Sequence, residues 1–336
     1  LAELIDLTLG LHMKLTSFIT QIARVSQGAL VIALAGGCPL AALAGEGGIT
    51  HILPGSAATL IDLLPTKPGW IAAGAYLNYQ GDASAEKLLP IAGSVVAGLD
   101  ATSNAVLAGG FYTFEPKVLG AYYSVGAFLP YVSMEVSASV STTAGAIRRK
   151  DSASGLGDVT LIPVMLAWKD ESWQYNALMP IYAPTGQYEK GRLANPGLNY
   201  WTFDPTIGVS YNNAKTGLNA AAYAGIGLNT ENNATNYKSG SVFHLDGSVQ
   251  QLLPVGPGFL GIGAEAFYID QVSGDSGGNA LLGDFKGRTS GLGPVLTYIL
   301  PRGTETLVAE LRWLHETNVK NRLEGDYIWL KVVYQF

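Results

Sequence analysis

The sequence predicts an all-β chain that folds as a transmembrane antiparallel β-barrel of about 12 strands. Three observations carry this reading. After Trp70 the chain is a succession of alternating segments of roughly ten residues or more, the length that a tilted membrane strand needs. Nearly every segment has one row of side chains that is wholly apolar or aromatic. The gaps between segments alternate short and long, as tight periplasmic turns and longer external loops do.

The last segment shows the pattern best. In "EGDYIWLKVVYQF", Ile328, Leu330, Val332, Tyr334 and Phe336 form one row, and Tyr327, Trp329, Lys331, Val333 and Gln335 the other. Successive side chains of a strand point to opposite faces. In a barrel the first row meets lipid and the second faces the lumen. The same split separates Trp201, Phe203, Ile207, Val209 and Tyr211 from Thr202, Asp204, Thr206, Ser210 and Asn212. It separates Phe243, Leu245 and Val249 from His244, Asp246, Ser248 and Gln250. A soluble sandwich would share the regular short strands but has no need of an apolar exterior.

The expected strands are 70–80, 105–115, 118–135, 157–169, 173–184, 199–212, 217–229, 239–253, 259–273, 288–300, 304–317 and 325–336. Short turns fall at "EP", "KDES", "NNAKTG", "PVGPG" and "PRGT", all of turn-forming composition. The longer gaps are 81–104, 142–156, 185–198, 230–238, 274–287 and 318–324. An even strand count places both ends of the barrel sheet on the periplasmic side. Two short helices are expected off the wall, at 56–64 and within 89–104.

Composition agrees. Only 14% of residues are charged and 48% are hydrophobic, against about 25% charged in an ordinary globular chain. Tyr outnumbers Phe, 17 to 10, beside 6 Trp, and Tyr and Trp suit a polar–apolar boundary. A net charge of −6 argues against a nucleic-acid partner. One cysteine, Cys38, excludes an intramolecular disulfide framework and a Cys-rich zinc site.

Residues 1–44 read as an upstream extension and signal peptide. Met13 serves as the start, Lys14 and Arg24 as the positive region, "GALVIALAGG" as the apolar core and "ALA" (42–44) as the cleavage site. Lipidation at Cys38 is the competing reading. Residues 45–69 form an N-terminal periplasmic or lumen segment, too short for a folded plug. Residues 70–336 form the barrel.

The ordered landmarks "GLGDVTLIPVMLAW" (155–168), "APTGQY" (183–188), "NPGLNYWTFDPTIGVSY" (195–211), "YKSG" (237–240), "YIDQVSGD" (268–275) and "GLGPVLTY" (291–298) resemble a known group. It is the family of outer-membrane channel proteins associated with the meta-pathway of phenol degradation. The resemblance implies a twelve-stranded barrel in the bacterial outer membrane. It also implies a diffusion channel for uptake of hydrophobic or aromatic small molecules. It supplies no catalytic motif.

An outer-membrane lipid or ester hydrolase built on a barrel is the alternative. "GDSGG" (274–278) places Ser276 in a protease-like context, but of His51, His244 and His315 none lies in a matching one. His315, on the lipid-facing row, is the candidate base. No cofactor is expected, and no His or carboxylate cluster has metal-ligand spacing. The candidate lumen-lining residues are Asp204, His244, Asp246, Glu265, Glu310, Arg312 and Lys331, with Tyr182, Tyr223 and Trp329. Expected surroundings are hydrophobic or aromatic solutes, outer-membrane lipid and lipopolysaccharide, around a monomer.

Overall fold

The computed structural model describes residues 50–336, apart from residues 85, 143 and 144. The expected signal peptide and Cys38 lie outside the described residues. The chain forms one antiparallel sheet closed on itself. Its ladder segments are β1 (Gly69–Asp82), β2 (Leu88–Ile91), β3 (Ser94–Thr113), β4 (Tyr122–Thr142), β5 (Gly145–Leu156), β6 (Val159–Asp170), β7 (Trp173–Leu178) and β8 (Ile181–Ala183). They continue with β9 (Thr202–Phe203), β10 (Thr206–Asn213), β11 (Leu218–Asn229), β12 (Val242–Val255), β13 (Gly258–Gln271), β14 (Arg288–Arg302), β15 (Glu305–Lys320) and β16 (Glu324–Gln335).

Twelve wall positions result, because β5 runs into β6, β7 into β8 and β9 into β10, while β2 pairs only with β3. The wall closes where β1 pairs with β16, Ile71 opposite Gln335 and Asp82 opposite Glu324. Closure is obligatory: hydrocarbon offers no partner for an unpaired N–H or C=O, so a sheet in lipid must have no edge.

The outward rows are apolar in mid-wall. Leu245, Val249, Ile262, Leu292, Leu296, Leu311, Ile328, Leu330 and Val332 are all exposed. Aromatic pairs rim the band. Trp70–Tyr112, Phe114–Tyr123, Trp173–Tyr211 and Tyr334–Phe336 cluster at the end with the short turns; Trp201–Phe203 and Phe243–Tyr268 lie at the other. Tyr and Trp rings favour the membrane interface, so the two rims mark the band's height.

Three neighbouring wall strands break at one level. Met179–Pro180 separates β7 from β8, Asp204–Pro205 separates β9 from β10, and Pro163 interrupts the regular register of β6 beside them. Proline has no N–H to give to a ladder. Single bonds bridge the breaks, from Met179 N to Val164 O at 3.0 Å and from Asp204 N to Pro180 O at 2.9 Å.

The structure corrects some of the sequence reading. Residues 89–104 are not helical but form the β2–β3 hairpin, turning at Ala92 and Gly93, whose φ angles are 45° and 86°. This is the positive-φ pair that a two-residue hairpin requires. Residues 142–156, a long gap by the sequence pattern, include β5, which pairs along β4 from Tyr131 to Thr142. Above the membrane the outward row of β4 turns polar (Ser133, Glu135, Ser137), so the apolar alternation that marks a membrane strand stops while the ladder continues. The expected helix at 56–64 shrinks to one 3-10 turn, Leu60–Asp62.

The lipid-facing row yields a test. Leu330→Arg should cost about 2–4 kcal/mol, the value for a cation at the midplane of a barrel. Denaturant titration of protein folded in lipid vesicles measures this, and a cost near zero would place Leu330 off the lipid face.

Candidate functional site

The lumen is occupied. Thr50 to Thr66 are buried without exception, and they run inside the barrel from the external half down to the start of β1. The inner wall has two characters. On β1, β3, β4 and β6 it is apolar, with Leu77, Leu107, Phe111, Phe128, Val132, Met134, Ile162 and Met165 all buried. On β11 to β16 it carries His244, Asp246, Ser248, Gln250, Glu265, Thr297, Glu310, Arg312 and Lys331, also buried.

The N-terminal segment binds the polar half. Asp62 accepts from Arg312 Nη2 at 3.0 Å and from Lys331 Nζ at 2.7 Å. Arg312 also reaches Glu265 Oε2 and Gly55 O, each at 2.7 Å, and pairs with Glu310. Lys331 donates to Gly55 O and Ser56 O, both at 3.1 Å. The Thr59 hydroxyl lies 2.9 Å from Glu310 Oε1. Trp329 Nε1 donates to Pro54 O at 3.0 Å. Gly55 sits at φ 76°, and a Cβ there would lie 2.8 Å from Leu314 and Trp329, so this close crossing requires glycine. Meanwhile Leu60, Ile61, Leu63 and Leu64 join the same apolar cluster as the β1–β6 wall.

The predicted residues thus sort into groups. Glu310, Arg312, Lys331 and Trp329 hold the N-terminal segment, and Glu265 pairs with Arg312. Asp204 and Asp246 flank His244, at 3.0 and 3.4 Å from its ring nitrogens. Tyr223 accepts from Asn176, which accepts from Gln174, which in turn donates to Leu64 O at 2.9 Å. Tyr182 stacks on His51 with centroids 5.0 Å apart and planes at 11°. Sequence reasoning missed Asp62, His51, Asp158 and Thr202. Asp62 gave one signal, as the lone carboxylate in the apolar run "LIDLL".

Ser276 and His315 do not meet. Ser276 bridges Lys238 by backbone bonds, while His315 lies outside the wall with Nδ1 3.0 Å from Asp326. Among the described residues no group of three His, Cys, Asp or Glu is placed to hold a metal ion.

The loop 184–201 folds over the external mouth, with Leu193 to Leu198 buried. Two carboxylates hold it. Asp158 accepts from Gly186 N at 2.8 Å and Leu198 N at 2.6 Å. Asp151, outside the membrane, accepts from Arg192 Nη2 at 2.8 Å, Leu193 N at 3.1 Å and Ala194 N at 3.2 Å. Burial raises the Asp151 pKa, but the Arg192 hydrogen bond and the backbone donors outweigh it and hold the carboxyl below its ordinary value.

A depressed folded-state pKa contributes stability above the unfolded value, and that contribution is lost as pH falls through the folded one. Cleavage of this loop by an acid-active protease should therefore rise as pH drops below the ordinary aspartate range. Arg192→Ala should raise cleavage already at the upper end of the protease's working pH range and flatten the profile. Removing Arg312 leaves buried carboxylates unpaired, so Arg312→Met should cost about 3–5 kcal/mol in vesicle unfolding. An unchanged midpoint would show that the network does not hold the lumen segment.

Comparison with solved structures places this barrel beside the COG4313 outer membrane channel from Pseudomonas putida F1. The TM-score is 0.61 at 16% identity, over 85% of this chain and 100% of that one. The transport unit of the autotransporter AIDA-I from Escherichia coli aligns over 82% of this chain and 92% of its own, with TM-score 0.47 and 11% identity. The first likeness supports the fold; the second is too distant to carry more. No curated protein matches. Residues 89–332, most of the chain, match the family model described as "Putative MetA-pathway of phenol degradation", and the chain belongs to that family.

Proposed function

We propose that this barrel is a passive outer-membrane channel through which hydrophobic or aromatic small molecules are taken up. The observation that carries the reading is the two-faced lumen. The N-terminal segment is fastened to the polar half of the wall through Asp62, and its apolar residues Leu60, Ile61, Leu63 and Leu64 share one cluster with the β1–β6 half. A solute moving along that apolar seam gives up its water without meeting an unpaired charge. The kinship with the COG4313 channel and the family match support the same reading. Residues 1–44 act as a targeting segment removed before Gly45, and the barrel works as a monomer among lipid and lipopolysaccharide. No step of the proposed uptake makes or breaks a bond.

Flux into proteoliposomes tests this. Neutral aromatics should enter faster than through protein-free vesicles, with no dependence on an energy source. Met134→Asp, on the apolar seam, should slow them about tenfold, since a carboxylate there adds more than about 1.4 kcal/mol of dehydration cost to the path. Equal flux with and without protein contradicts the channel. Ester hydrolysis that disappears in Ser276→Ala or His315→Ala would favour the hydrolase instead.

A further inference from the structure

At the external end of the lumen segment one side chain is held as a ligand would be. The His51 imidazole lies parallel to Tyr182, at 5.0 Å and 11°, with the Tyr200 ring edge-on at 5.2 Å and 72°. Its Nε2 faces Asp158 Oδ2 at 3.0 Å and its Nδ1 faces Thr202 Oγ1 at 2.7 Å. Both partners are fixed by others. Asp158 is held by the backbone N–H groups of Gly186 and Leu198, and Thr202 donates its own proton to Asn229 Oδ1 at 2.7 Å. The surroundings therefore form a slot with aromatic walls and an oxygen acceptor beside each ring nitrogen. Aromatic rings favour stacked and edge-on partners of this kind.

His51 reaches into this slot from a segment that forms no ladder with the wall. The slot is built by the barrel: Asp158 between β5 and β6, Tyr182 on β8, Tyr200 and Thr202 at the start of β9, Asn229 at the end of β11. Only His51 comes from the lumen segment. The chemistry that replaces it is a single planar ring bearing a donor on its edge. A hydroxylated ring supplies that donor: its O–H donates to Asp158 Oδ2 and its face stacks on Tyr182. A second hydroxyl would meet Thr202 Oγ1. An unsubstituted ring fills the walls but brings no donor to replace those of the His51 ring at Asp158 Oδ2 and Thr202 Oγ1, a cost the site levies on non-donors.

We propose that the slot between Tyr182 and Tyr200 is a binding site for a monocyclic phenol, and that His51 is its built-in competitor. The proposal rests on the channel reading and adds a place along the path where solutes are selected. Entry requires His51 to withdraw and the Gly186–Leu198 loop to shift on Asp158, so the bound ring exchanges with the segment that fills the lumen.

The probe is 4-fluorophenol, followed by fluorine NMR with full-length barrel in lipid nanodiscs and fluorobenzene as the ring without a donor. Wild type should show saturable binding of 4-fluorophenol. His51→Ala should bind it about tenfold more tightly, because removing a competitor that fills the slot most of the time restores the competent fraction. His51→Gln, which keeps a polar group near Asp158 but removes the ring, should also bind more tightly, and it serves if the alanine variant folds poorly. Adding Tyr182→Ala to either should abolish saturable binding. Fluorobenzene should bind at least about tenfold more weakly than 4-fluorophenol, with Asp158→Asn narrowing that gap. The proposal is overturned if neither His51 variant gains affinity, if the two probes bind alike, or if Tyr182→Ala changes nothing. Flux into proteoliposomes separates the two claims. Protein-dependent flux without saturable binding overturns the slot and leaves the channel standing. Saturable binding without flux sustains the slot and removes the channel.

Discussion

The whole arrangement depends on one constraint: lipid supplies no hydrogen bonds. A sheet in hydrocarbon must close, so β1 finds β16 and the wall has no edge. Closure creates an inside, and the inside raises a second problem. The inner row of half the wall is charged, and charges out of water are costly unless paired. Asp62 meets that need by standing between Arg312 and Lys331 with no exposure of its own. The lumen segment is thus part of the wall's electrostatics as much as an obstacle within it.

In the proposed function this pairing decides where solutes go. Arg312, Lys331, Glu265 and Glu310 engage one another and the segment's backbone, so the polar half is taken. The apolar residues of the segment share one cluster with Leu107, Phe128, Met134 and their neighbours on β1 to β6, where the inner wall carries no such ion pairs among the described residues. The proposed preference for apolar solutes rests on which half the segment occupies. At the mouth, Asp158 joins three things: His51 of the segment, the 184–201 loop and the wall itself.

Much of the wall was legible in the sequence because lipid demands an apolar row at period two, and that demand is local. The segments ending at Phe336 or beginning at Trp173 declare themselves from their own residues. Legibility stopped where the demand stopped. Beyond Tyr131 and below Val106 in sequence number, the outward residues face water and headgroups, so β5 and the β2–β3 hairpin carry no lipid signature. The inner row was legible as a list, since Glu310, Arg312 and Lys331 fall opposite to lipid-facing neighbours. Their partner was not. Asp62 lies about 250 residues earlier in the chain, and no local periodicity links it to Arg312. His51 was equally silent, because its meaning comes from Tyr182, Tyr200, Asp158 and Thr202, which converge on it only through the closed barrel.

The central claim is that solutes travel along the apolar half of the lumen because the segment holds the polar half. A crystal of the barrel soaked with 4-bromotoluene tests it most directly, through the anomalous signal of bromine. The account predicts bromine sites against Leu107, Phe128 and Met134, on the seam between the wall and the lumen segment. Bromine among Glu265, Arg312 and Lys331, with the segment displaced from them, would contradict it.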